Sequence, residues 1–119
     1  MSYVMLIFEP EEYIARRTDP EHKEAFWNAW GAYHKAMVDA GVITGGAALE
    51  HHSTATTVRL RNGERQVQDG PFVDAKEQLG GIMILDVPDL DTALEWAARC
   101  PAAEYGTLEV RPKYQMSGQ

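Results

Sequence analysis

Between Asp69 and Gly81 the chain collects residues suited to acid–base and anion chemistry into one connection, Asp-Gly-Pro-Phe-Val-Asp-Ala-Lys-Glu-Gln-Leu-Gly-Gly. The run has neither helical nor strand periodicity. Ordering such a loop is costly, and ordered loops carry a large share of binding and catalytic groups. Gly70 precedes Pro71 and is pushed extended, while Pro71 fixes its own φ. Asp69 then has two readings. It can open the turn by accepting from backbone N–H groups, or serve as a rigid carboxylate at a strand end, where a general base works. Lys76 and Glu77 point apart in any regular conformation, so each pairs elsewhere, with Asp69, Asp74 or Arg111. In one reading these are solvated surface pairs worth little. In the other, Lys76 holds an anionic group and Glu77 titrates. Gly80-Gly81 allows positive φ or a close backbone approach.

Three other places bear on chemistry. Arg111 lies opposite Leu108 and Val110 on the final strand-like segment. If its face is buried, the guanidinium needs a carboxylate, with Asp69 or Glu77 as partners, or a ligand. His34 sits on an apolar helix line and is either a packed residue with one hydrogen bond or an acid–base group beside a sheet pocket. His51 and His52 are adjacent, and on an extended chain their rings point to opposite faces. With no third ligand at zinc-like spacing, no metal is expected. His22 falls in a first helical turn, on the surface. Cys100 before Pro101 reads as a small buried apolar residue. There is no dinucleotide-binding fingerprint and no nucleophile elbow, and no cofactor is expected.

The elements that must position these groups follow from pattern. Tyr3–Phe8 and Ile82–Val87 are apolar runs of strand length without alternation, so both faces should be covered. Glu9 to Arg17 is a polar connection. A helix is expected from Thr18-Asp19-Pro20-Glu21, with Thr18 or Asp19 as cap, to about Ala40 before Gly41. Phe26, Trp30, Tyr33, Met37 and Ala40 form its apolar stripe; Trp27, His34 and Val38 form a second line that can meet another subunit. Val42–Leu49 is a glycine-interrupted strand. Thr56–Arg61 and Glu64–Gln68 flank Asn62-Gly63, a hairpin turn, and this hairpin reads as a polar edge or an arm. Asp89 caps a second helix, with Leu90, Leu94 and Ala97 inward, widened by Ala93, Trp96 and Cys100 and ended by Pro101. Gly106–Tyr114 is the last strand. The order is that of a ferredoxin-like α+β sandwich with an inserted β-hairpin. Two helices cover one face of such a sheet, so a second copy is expected on the other, giving a homodimer.

The bulk numbers agree with one domain spanning 1–119. The chain is 45% hydrophobic with a net charge of -7, and it has one cysteine. Acidic balance argues against nucleic acid and anionic membranes. A lone cysteine fits a cytoplasmic protein, and no run reaches transmembrane length.

Asp69-Gly70-Pro71-Phe72, Lys76-Glu77-Gln78-Leu79-Gly80-Gly81, Asp89-Leu90-Asp91 with Ala93-Leu94-Glu95-Trp96-Ala97, Cys100-Pro101 and Glu109-Val110-Arg111-Pro112 together resemble the DGPF branch of the YCII-related family. The resemblance implies a dimeric α/β barrel in a small bacterial protein. It further implies a His-Asp pair on or near the first long helix. Asp39 matches the acid, while the histidine position falls on Trp30. Two functional expectations result. One is a binder of a small polar or aromatic metabolite beside the sheet, with acid–base chemistry drawn from Asp69, Glu77 and His34 and binding from Lys76 and Arg111. The other, resting on the resemblance, is a non-catalytic accessory or sensory protein linked to an extracytoplasmic-function sigma factor system, acting through its dimer surface or by sensing a ligand, with a regulatory protein as an expected partner.

Overall fold

The structure, a computed structural model, describes residues 1–116. Its core is a four-stranded sheet in the order β2-β5-β1-β6, with every pair antiparallel. These are β1 (Ser2–Pro10), β2 (Ile43–Ala48), β5 (Glu77–Asp86) and β6 (Thr107–Pro112). Helix α2 (Lys23–Asp39) carries the chain from β1 to β2, and α3 (Leu90–Arg99) from β5 to β6. Each crossover skips one strand, which is the split β-α-β arrangement expected from the element order. Between the halves, β3 (Thr56–Arg61) and β4 (Glu64–Asp69) form a separate two-stranded sheet. Its turn has Asn62 at φ 52° and Gly63 at φ 77°, the left-handed pair that matches strand twist.

β1 alternates in burial where the sequence reads as a continuous apolar run. Tyr3, Met5, Ile7 and Glu9 are buried, and Val4, Leu6 and Phe8 are half-buried on the opposite face. The first set packs with Met83 and Leu85 of β5 beneath Phe26, Tyr33 and Met37 of α2 and Ala93, Trp96 and Ala97 of α3. On the other face Val4 pairs with Ile84, Leu6 with Ile82 and Phe8 with Leu79. Neither long helix lies on that side.

Several boundaries differ from the sequence pattern. Glu11–Ile14 forms a short helix, α1, and Ala15–Arg17 a 3-10 turn, because Tyr13 and Ile14 bury their side chains within an otherwise polar connection. α2 starts at Lys23 with no side-chain cap. Asp19 is occupied one turn earlier: its carbonyl accepts from His22 and Lys23 N–H, and its carboxylate pairs with the His22 ring. The buried stripe of α3 is Ala93, Trp96 and Ala97, while Leu90 and Leu94 remain half exposed. The wide Trp96 ring takes the inward position, and Arg99 stacks on it at 4.2 Å. The Asp89 cap is as expected, with Oδ1 accepting from Thr92 N–H at 2.8 Å. Finally, β5 begins at Glu77 and not at Ile82. The glycine doublet lies within the strand, where the β1–β5 register shifts between Ile7 and Phe8, as at a β-bulge. Among the described residues no helix is long and apolar enough to cross a membrane.

Candidate functional site

The alternation of β1 delivers an acid to the helix-facing side of the sheet. Glu9 follows Tyr3, Met5 and Ile7 on that face and is 2% exposed. It lines a cleft of about 490 Å³ between α2 and the β2–β5 edge. Its neighbour is Arg17, which leaves the 3-10 turn and re-enters towards the sheet, with Nη2 3.5 Å from Glu9 Oε1. The guanidinium donates to the carbonyls of Leu49 and Gly80. The Trp27 indole N–H donates to the Arg17 carbonyl at 2.9 Å and anchors this turn to α2. Two polar atoms here are buried without a partner, Glu9 Oε2 and Arg17 Nε. Buried polar atoms are nearly always satisfied, so this pair of lining residues keeps unused hydrogen-bonding capacity beside the cleft.

Burial pushes the Glu9 carboxyl above its usual range, against the lowering effect of Arg17. A carboxyl so placed can hold a proton and give it up to a bound molecule. The remaining walls are apolar or backbone. Trp27, Trp30 and Phe26 come from α2, and Ile43 through Ala48 and Gly80 to Met83 form the floor. Trp30 is fixed by its N–H donating to the Tyr13 hydroxyl at 2.9 Å, and Tyr13 stacks on Tyr105 at 4.8 Å. The absent side chain at Gly80 matters most, because a Cβ there would collide with the Glu9 carboxylate.

The residues expected from sequence do not converge on this cleft. His34 alone among them lines it, from an exposed position on α2. Asp69 is exposed at the end of the β4 arm, and the turn it opens is held by Gly70 N–H donating to Ala55 and Thr57 Oγ1 donating to the Gly70 carbonyl. Gly70 has φ 98°, which explains the glycine. Lys76 is exposed, with no ion-pair partner among the described residues. Glu77 is half-buried on the open face, where it accepts from Thr107 Oγ1 at 2.9 Å. Arg111 is exposed and faces Glu109 at 4.0 Å instead of Asp69 or Glu77. Asp39 is occupied by Lys35 at 2.7 Å on the helix surface. Cys100 is buried, and burial raises its thiol to about 11. Sequence reasoning overlooked Glu9 and Arg17 because the segment holding them read as a polar connection. The available signal was that Glu9 continues the odd-numbered face Tyr3, Met5, Ile7.

His51 and His52 do not splay apart as an extended chain would require. His52 begins a 3-10 turn, and the two rings lie side by side with centroids 4.1 Å apart, tilted by 32°. Both face Glu11: His51 Nε2 lies 2.8 Å from each carboxylate oxygen and His52 Nε2 lies 3.2 Å from Oε2.

Comparison with known proteins places this geometry in context. The YCII-related domain model matches residues 1–117. An uncharacterised protein of Rhizobium meliloti (strain 1021) is 34% identical over 114 residues, covering 94% of this chain and 91% of that protein. Among solved structures, the chain is similar in fold to 5-chloro-2-hydroxyhydroquinone dehydrochlorinase from Burkholderia phenoliruptrix AC1100 in complex with 2,5-dihydroxybenzoquinone. That match has a TM-score of 0.56 and 14% identity, and covers 98% of this chain and 96% of the other. The chain belongs to the YCII-related domain family.

Proposed function

We propose that this member of the YCII-related family binds a small planar metabolite, an aromatic or quinonoid compound bearing ionisable hydroxyls, in the cleft between α2 and β2–β5, with Glu9 as the acid–base group. One observation carries the reading: a carboxyl 2% exposed and raised in pKa by burial, with Oε2 unpartnered, on a residue that lines the cleft. A small rotation of the carboxylate on ligand entry would let a ligand hydroxyl donate to that oxygen. Arg17, already fixed by two carbonyls, stabilises negative charge on Glu9 or on a ligand oxygen brought beside it. Trp27 and Trp30 supply flat apolar surface for a ring. The quinone bound by the structurally similar dehydrochlorinase is of a compatible class; the likeness extends to the fold alone.

The open face of the sheet supports a second part of the proposal. Val4, Leu6, Phe8, Ile82 and Ile84 form an apolar surface on the side away from both long helices. We propose that a second copy of the chain covers it, completing a dimeric α/β barrel. Intensity of the cleft tryptophans tests the ligand reading. Titration with 2,5-dihydroxybenzoquinone and other hydroxylated aromatics should quench fluorescence saturably in the wild type and at least tenfold more weakly in Glu9→Gln. Equal affinity in both proteins, or no saturable quenching across the series, would remove the assignment.

A further inference from the structure

Glu11, His51 and His52 form a cluster separate from the cleft. We propose that it is a binding site for a borderline first-row divalent cation, with Zn²⁺ as the natural probe. Each residue offers one ligand atom, and these atoms lie within 4.8 Å of one another. Imidazole nitrogen and carboxylate oxygen suit such a cation, which takes each at about 2.0–2.2 Å. The donor set of two histidines and one glutamate leaves a coordination position open, as in sites that also hold water or substrate.

The arrangement is built by the fold and not by neighbouring sequence alone. Glu11 begins α1, directly after β1, whereas the histidines lie within the connection from β2 to β3. The 3-10 turn at His52–Thr54 brings both rings to one side, with centroids 4.1 Å apart. That turn is closed by Thr54 N–H and Oγ1 donating to the His51 carbonyl at 2.9 and 2.8 Å. The His51 ring is also oriented from behind. Its Nδ1 is 2.8 Å from Ser53 Oγ and 3.1 Å from Ser53 N. Without a cation, Nδ1 accepts from Ser53 N–H and Nε2 carries the proton donated to Glu11. A cation on Nε2 displaces that proton to Nδ1, which then gives up the bond from Ser53 N–H and donates to Ser53 Oγ at 2.8 Å, the kind of outer-shell partner metal-bound histidines almost always have. Among the described residues no other cluster has this composition. Asp19, Glu21 and His22 also come together, but they supply a single histidine, and Asp19 is already bonded within its own turn.

The cation would tie α1 to the connection that starts at Leu49, whose carbonyl accepts from Arg17. The site would therefore brace the end of the β-sheet where Glu9 and Arg17 sit. This inference does not depend on what the cleft binds.

Isothermal titration of Zn²⁺ into the chelator-stripped, tag-free full chain tests it, with circular dichroism to confirm that each variant is folded. The wild type should bind one Zn²⁺ per chain and melt at a higher temperature when loaded. His51→Ala, His52→Ala and Glu11→Gln should each weaken binding at least tenfold, because loss of even an outer-shell group costs about 10–100-fold. Ser53→Ala should give a smaller loss. Co²⁺ in place of Zn²⁺ should show visible absorption that disappears in His52→Ala. Absence of stoichiometric binding by the wild type, or binding unchanged by the Glu11 and His52 substitutions, overturns the site. Glu11→Gln keeps the size and shape of the side chain, so its result stands even if a histidine variant fails to fold.

Discussion

Gly80 and Glu9 occupy one space on adjacent strands. A Cβ on Gly80 would lie 2.8 Å from Glu9 Cδ and 3.3 Å from Cγ, so the buried carboxylate stands where any other residue of β5 would place a side chain. The carbonyl of Gly80 meanwhile accepts from Arg17 Nη2 at 3.1 Å. One residue without a side chain thus permits the acid and fixes its counter-ion.

Gly80→Ala should displace the Glu9 carboxylate from its position beside Arg17. Overpacking of this kind costs about 1–3 kcal/mol. Urea unfolding should show a loss of that size, and ligand quenching of Trp27 and Trp30 should weaken together with it. A variant as stable as the wild type with unchanged quenching would show that Glu9 does not depend on the glycine.

The raised pKa of Glu9 predicts a pH dependence of stability. An acid whose pKa rises on folding keeps its proton in the folded state at pH values where the unfolded chain has released it. Its contribution is therefore most favourable below the ordinary value of 4.5 and declines as pH rises through the raised folded value. Glu9→Gln removes this dependence. The melting temperature of the variant should gain on that of the wild type as pH is raised from below 4.5 to neutrality. A melting temperature of the variant that stays constant relative to the wild type, or falls further below it, as pH rises would contradict the assignment.

Tyr33 tests the packing of α2 on α3. Its buried hydroxyl donates to the Trp96 carbonyl at 2.7 Å, and burial raises its pKa. Tyr33→Phe leaves that carbonyl unpaired, at a cost of about 1–3 kcal/mol, measurable by chemical denaturation.

Leu6 tests the open face. It pairs with Ile82 and Glu109 at the centre of the sheet. Light scattering should show a dimer for the wild type, and Leu6→Glu should give a folded monomer. A wild-type monomer would rule out the second copy as the cover of this face.

Part of this protein is legible in its residues alone. The Asn62-Gly63 turn, the Asp89 cap, the Phe26–Tyr33–Met37 stripe and the succession of strands and helices along the chain all rest on short-range rules: backbone preference, local hydrogen bonds and helical spacing. The family resemblance was legible for the same reason, since its motifs are contiguous. The candidate site was not. The Asp69–Gly81 stretch drew attention through its local density of special residues, yet Gly70 serves a left-handed turn and Gly80-Gly81 a bulge. Glu9, Arg17 and Gly80 are brought together only by the β1–β5 register, and Glu11 reaches His51 and His52 only through the turn after β2. Desolvation and orphaned hydrogen bonding, which single out Glu9, are properties of the packed environment. The sequence determined which residues were available and which elements would carry them. Tertiary structure decided which charges lost their water, because burial is set by neighbours remote in the chain.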